Sequence, residues 1–177
     1  MKRVSSVLCL LLLLPLLGQA SQVDLGQLSL TMPTSCDVFT LNMRTDDPLL
    51  ALYNTSAEAA ARDLEAQGFL MKAREISGAY TITLSLQADG GPDYAGMPDD
   101  GLLDESGRFT AEGAPEKVLR SRQAAFLVLR NGNTVTCVTR VGGALYRLTL
   151  QAAGSLTGQM VDTLIKTSQS MDFGQGQ

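Results

Sequence analysis

A run of acidic side chains between residues 88 and 107 is the stretch of this chain whose residue types suggest a site. It holds six acids and neither Lys nor Arg: Asp89, Asp93, Asp99, Asp100, Asp104 and Glu105. Carboxylates on a stretch rich in Gly and Pro are the kind of ligand that weak extracellular calcium sites use. The sequence therefore suggests calcium and no other cofactor. The candidate calcium ligands are Asp93, Asp99, Asp100, Asp104 and Glu105.

Two other interpretations of this acidic segment stay open. A connection of about thirty residues, at 88–115, is also typical of a mobile, solvated loop that buries little apolar surface. The same acids could instead dock a basic partner. The EF-hand spacing is absent, because Gly96 and Pro98 occupy positions where two ligands would have to stand.

The chain contains no His, and this restricts the chemistry open to it. His is the commonest general base, the usual zinc ligand and the partner of Ser or Cys in most nucleophilic sites. Ordinary hydrolase triads are therefore excluded, and the sequence predicts a protein that is not an enzyme. A concave pair of acids with shifted pKa values would favour the competing enzyme interpretation.

The first twenty residues are typical of a secretory signal peptide. A basic start at Lys2 and Arg3 precedes an apolar run at 7–17, and small residues stand at Gly18 and Ala20. The run is shorter than the roughly 20 residues that span a bilayer. We therefore expect cleavage after Ala20, a secreted or extracytoplasmic chain of residues 21–177, and no stable insertion in the membrane.

Charge and cysteine content describe the remaining chain further. Without residues 1–20 the net charge is about −6, which disfavours nucleic acid as a partner.

Cys36 and Cys137 are the two cysteines left, and an even count in an oxidising compartment suggests a disulfide. Each also lies in an apolar run of β type, where free thiols pack as small hydrophobic groups. The sequence leaves both interpretations open.

The apolar patterns predict a sheet built from neighbouring strands along the chain. Strands are predicted at 25–32, 37–41, 69–76, 79–86, 124–130, 134–141 and 145–151. The first two and the next two should form hairpins, and the last three a meander. The sequence also predicts helices: a short one that Asp47 caps, one at 56–67 with Thr55 and Glu58 as a capping box, and an amphipathic one at 155–169.

This order predicts a single α+β domain at 21–177. One antiparallel β-sheet, of about six to seven strands, packs against a helix from the N-terminal half of the chain and a C-terminal amphipathic helix.

The C-terminal part of the chain resembles PsbP-like domains. The resemblance is carried by the strand Gly143-Ala144-Leu145-Tyr146, the helix after it, and the ending Ser170-Met171-Asp172-Phe173. It implies the fold of that family, which spans photosystem subunits and bacterial surface or periplasmic proteins. No functional residue of the family is implied for this chain.

The function expected from the sequence is binding. We expect a non-catalytic binding or accessory protein at or outside the cell surface, whose partner is a protein or a small ligand at the cell envelope. A carrier of a small apolar ligand between sheet and helix is an alternative, and a weak calcium-binding module is another.

Overall fold

The computed structural model describes residues 20–174. The predicted signal peptide lies outside the described residues except for Ala20. Within residues 20–174, no helix is both long enough and apolar enough to cross a bilayer.

Four helices and nine strands make up the part of the chain that the structure describes. The helices are α1 Pro48–Leu52, α2 Ala57–Gln67, α3 Asp99–Glu105 and α4 Gly158–Gln169. The strands are β1 Ala20–Asp24, β2 Ser29–Pro33, β3 Cys36–Thr40, β4 Phe69–Glu75, β5 Tyr80–Ala88, β6 Ala114–Arg120, β7 Ala125–Asn131, β8 Thr134–Val141 and β9 Ala144–Ala152.

Seven of these strands form one antiparallel sheet in the order β3-β4-β5-β9-β8-β7-β6. Strands β1 and β2 pair separately as a small second sheet. The α+β class, with its antiparallel sheet and C-terminal helix, is thus confirmed. The predicted meander is confirmed too, because β7, β8 and β9 are consecutive neighbours in the sheet.

Caps and turns place the main helices. The Ser56 hydroxyl accepts a hydrogen bond from the Ala59 amide at 3.2 Å, and Gly68 ends α2 with a left-handed φ of 72°. The sequence placed the cap one residue too early, at Thr55. Helix α1 begins at Pro48 after the Asp47 cap, as the sequence predicts.

The large sheet has an apolar core on each face. On the first face, α4 and the small sheet cover residues such as Met71, Ile82 and Leu148. On the second face, a separate core contains Leu127, Val138 and Leu145, together with side chains from the acidic segment. Alternation along the strands separates the two sets.

The first predicted hairpin is wrong. Strand β2 pairs with β1 and not with β3, and β3 pairs with β4. The reason is packing: Leu30 and Met32 of β2 are buried in the first core beneath α4. An additional bond joins β2 to Asp172 near the C-terminus.

The acidic segment, residues 88–115, contains more regular secondary structure than the sequence predicts. It contains a 3-10 turn at Tyr94–Gly96, helix α3 and a second 3-10 turn at Ser106–Phe109, and β6 begins at Ala114. Its side chains Tyr94, Leu102 and Phe109 are buried in the second core. The expectation that residues 88–115 bury little apolar surface is therefore wrong, because these three side chains follow no regular period that a sequence reveals.

Candidate functional site

The five candidate calcium ligands do not meet at one point. Asp99 pairs with Arg120 at 2.6 Å, and Asp100 accepts a hydrogen bond from the Gly101 amide at 2.9 Å. Asp93 accepts one from the Gly142 amide at 2.8 Å. Asp104 is exposed on α3. Within residues 20–174, no group of three or more His, Cys, Asp or Glu side chains is placed to hold a metal ion.

Glu105, the fifth candidate, belongs to a network of charges around Arg140. Arg140 lies on β8 and only 1% of its side chain is exposed. Its Nη2 lies 2.5 Å from Oδ2 of Asp89 and 3.3 Å from Oε2 of Glu105. A buried guanidinium is stable only when its charge is compensated in this way. The sequence does not reveal the role of Arg140, because a charged residue in a strand is ordinarily exposed.

A second arginine completes the network. Arg108 donates to Asp89 at 2.7 Å and to Glu105 at 3.0 Å, so two cations and two acids alternate. Hydrogen bonds from Arg108 and then Arg140 hold the pKa of Asp89 below its usual range. The same pairing raises the pKa of Arg108. We call these four side chains the charge clamp.

Backbone and aromatic contacts fix the Arg140 guanidinium further. It donates to the carbonyl of Pro92 at 3.1 Å and lies 4.8 Å from the centre of the Tyr94 ring. Burial raises the pKa of Tyr94 to about 12, so its phenol stays neutral. Gly91 approaches so closely that a Cβ there would lie 2.6 Å from Cζ of Arg140. The charge clamp therefore fastens the acidic segment to strand β8.

An open cleft of about 810 Å³ lies next to the charge clamp. We call it the turn cleft, because turns and chain ends supply most of its walls. Its walls include Gln27, Asp93, Arg122, Gln123, Val141 and Phe173. Of the five predicted ligands, Asp93 alone lines this cleft.

Aromatic side chains and a glutamine shape one wall of the turn cleft. The rings of Tyr146 and Phe173 meet edge to face with centres 5.1 Å apart. Gln123 accepts a hydrogen bond from the Phe173 amide at 3.0 Å and donates one to Asp172 at 3.0 Å. The β6–β7 turn is thereby joined to the C-terminal end of the described chain. These residues come from distant parts of the sequence, so no local motif could reveal them.

Among the described residues, Arg122 is the one cation that lines the turn cleft. It is exposed, and it forms no ion pair with any residue between 20 and 174. The carboxylate of Asp93 on the cleft wall is already engaged by the Gly142 amide. The cleft therefore combines an apolar aromatic surface with an available positive charge.

Cys36 and Cys137, the cysteines within residues 20–174, are buried free thiols in the structure. Cys137 is enclosed in the first core, and burial raises its pKa to about 12. Burial also raises the pKa of Cys36, whose sulfur lies 3.7 Å from the Tyr80 hydroxyl. Thiols with raised pKa values are poor nucleophiles at neutral pH, so this geometry gives neither cysteine a reactive role.

No known family model matches this chain, and no curated protein matches it in sequence. Solved structures that are similar include a 1.50 Å crystal structure from Bacteroides thetaiotaomicron VPI-5482. That protein is 7% identical with a TM-score of 0.44, and the match covers 89% of this chain and 49% of the other. The chain thus spans about half the length of the Bacteroides protein.

The solution structure of cyanobacterial PsbP (CyanoP) from Synechocystis sp. PCC 6803 is also similar. It is 10% identical with a TM-score of 0.44, and the match covers 88% of this chain and 91% of the other. A PsbP protein is therefore among the solved structures that are similar to this chain.

Proposed function

We propose that this chain is a non-catalytic binding protein that acts outside the cytoplasm and takes a short segment of a partner protein in the turn cleft. The observation that supports this most is that contacts within the chain hold two walls of the cleft in place. The charge clamp fixes the wall that contains Asp93, and Gln123 fixes the wall that contains Phe173. A preformed site loses less conformational freedom on binding than one that must first be ordered.

The openness of the turn cleft favours a protein segment as its ligand. Sites for small molecules enclose most of the ligand surface. The turn cleft is instead bounded by exposed turns, and a strand or loop of a partner can lie in it while the rest of that partner stays outside. The proposed location rests on the signal-like residues 1–20.

The lining residues specify the chemistry of the segment. An apolar side chain of the partner would pack on Tyr146 and Phe173. An Asp or Glu beside it would pair with Arg122, whose planar guanidinium suits a carboxylate. The segment that we expect therefore carries an apolar residue next to an acidic one.

A displayed peptide library tests this proposal directly. We expect peptides selected on the protein to share an aromatic or aliphatic residue beside Asp or Glu. Arg122→Glu should weaken their binding by about tenfold or more, because it replaces attraction with repulsion. Arg130→Glu is the matched control, since Arg130 is also exposed but lies at the far end of β7.

Two results would contradict the proposal. One is a selection that enriches no shared motif. The other is an equal loss of peptide binding in Arg122→Glu and Arg130→Glu, which would show that only net charge matters.

A further inference from the structure

A second pocket, separate from the turn cleft, lies between the N-terminal helices and the edge of the large sheet. Its volume is about 290 Å³, and α2, β3, β4 and the segment between α1 and α2 surround it. We call it the helix pocket. Its lining includes Phe39, Tyr53, Ala59, Leu64, Lys72 and Arg74.

Short side chains on α2 account for the space. The helix begins with Ala57-Glu58-Ala59-Ala60-Ala61, and both Ala59 and Ala60 line the pocket. Alanine favours the helix but fills little of the gap between helix and sheet. Leu64, one turn further along, is 1% exposed and closes one side.

An aromatic pair forms another wall of the helix pocket. The rings of Phe39 and Tyr53 meet edge to face with centres 5.1 Å apart. The Tyr53 hydroxyl donates to Asp37 at 2.6 Å, and this bond raises the pKa of Tyr53. The nearby Asp37 carboxylate is therefore occupied by the wall itself.

Two cations line the helix pocket beside this apolar surface. Lys72 stands opposite Phe39 in the register of β3 and β4, and Arg74 stands two residues along. Neither forms an ion pair with any residue between 20 and 174. Asp63 is the one acid among the lining residues, and it is exposed on α2.

We propose that the helix pocket binds a small apolar carboxylic acid, with its hydrocarbon part between Phe39, Tyr53 and Ala59 and its carboxylate at Lys72. The volume lies just below the usual range for ligand sites, so the ligand must be small. The lining holds two cations and one acid, and Arg74 stands opposite Asp37 in the strand register, so Lys72 is the cation that sets the charge of the ligand. This site shares no lining residue with the turn cleft, so it stands whether or not that cleft binds a peptide.

Octanoate is the probe, and 1-octanol is its uncharged counterpart. Isothermal titration calorimetry of the protein should give a Kd for octanoate of about 1 mM or tighter. Octanol should bind about tenfold more weakly, because it lacks the charge that pairs with Lys72. If octanol binds as well as octanoate, the cations play no part and the proposal is wrong.

Two pairs of variants test the residues. Lys72→Met should weaken octanoate binding by about tenfold and leave octanol unchanged, whereas Lys117→Met, on exposed β6, should change neither. Ala59→Leu should abolish binding of both probes by filling the pocket. Ala66→Leu, on the exposed side of the same helix, should leave binding intact.

Thermal melting of each variant shows whether it is folded, so a loss of binding is read only from folded protein. Absence of octanoate binding to the unaltered protein overturns the proposal, as does an equal effect of Lys72→Met and Lys117→Met. Retention of octanoate binding in folded Ala59→Leu places the site elsewhere and overturns it as well. Peptide binding in the turn cleft is measured separately, so failure of one proposal leaves the other tested on its own.

Discussion

The second face of the large sheet is covered at its two ends by segments that are held in different ways. At the β7–β8 end, the acidic segment inserts Tyr94 and Phe109 into an apolar core and is fastened by the charge clamp. At the β3–β4 end, α1 and α2 rest on the sheet through an aromatic pair and small alanines. The first covering is filled with side chains, whereas the second leaves a pocket.

Threonines occupy this face between the two coverings. Thr83, Thr149 and Thr136 are successive cross-strand partners, and Thr83 also pairs with Lys72 of the helix pocket. The hydroxyls of Thr136 and Thr149 are 3.1 Å apart and satisfy each other. Because threonine suits a strand without demanding apolar cover, each end can be covered independently.

The difference between the filled and the open covering separates a structural role for one end of the sheet from a binding role for the other. A buried charge must keep its partners, so the charge clamp is a poor place for exchange with a ligand. A site for a ligand instead needs space and groups that are not already paired, and these occur at the helix pocket and on the open wall of the turn cleft.

Arg140→Met should lower the free energy of unfolding more than the other substitutions considered. Methionine keeps much of the length but removes the charge, and leaves Asp89, whose side chain is 9% exposed, without its buried partner. Breaking a buried ion pair in this way costs about 3–5 kcal/mol. Urea unfolding measures the loss, and Arg130→Met, on the exposed end of β7, should change stability by less than about 0.5 kcal/mol. Equal effects of the two variants would show that the charge clamp contributes little.

Gly91→Ala should cause the next largest loss in the free energy of unfolding. The added methyl group would lie 2.6 Å from Cζ of a guanidinium that several partners hold in place. Forcing extra volume into a packed site costs about 1–3 kcal/mol. Gly96→Ala is the control, because nothing lies within 4 Å of a Cβ there. A neutral Gly91→Ala in urea unfolding would mean that Arg140 can move aside freely.

The charge clamp should also give stability a dependence on acid pH. Because the pKa of Asp89 is lower in the folded chain than in the unfolded one, its contribution is present above the unfolded value of about 4. That contribution is lost as pH falls through the lower folded value. In Asp89→Asn the fall in unfolding free energy with acid should be shallower. An unchanged slope between about pH 4 and 2 would contradict this assignment.

The sequence predicts local elements well and the site poorly. The glycine that ends α2, its N-cap to within one residue, and the turn residues of the β7–β9 meander act over a few residues and can be identified from the sequence. The pairing of β1 with β2 was missed because β1 begins at Ala20, where the sequence indicates a cleavage site. Arg122 and Phe173 meet at the turn cleft only through the sheet order, which a single sequence does not encode locally.

The smallest change in the free energy of unfolding is expected at the helix pocket, where α2 packs loosely on the sheet. This site contrasts most with the charge clamp. Ala59→Leu adds three carbons on the helix face that lines the helix pocket, so added volume meets space there and not a clamped guanidinium. Filling a cavity commonly raises the free energy of unfolding by about 0.5–2 kcal/mol. Ala66→Leu makes the same change on the exposed side of α2 and should stay within about 0.5 kcal/mol. Urea unfolding without ligand measures both. If Ala59→Leu destabilises the chain as Gly91→Ala does, the helix end is packed as tightly as the clamped end, and the division between a structural and a binding end of the sheet fails.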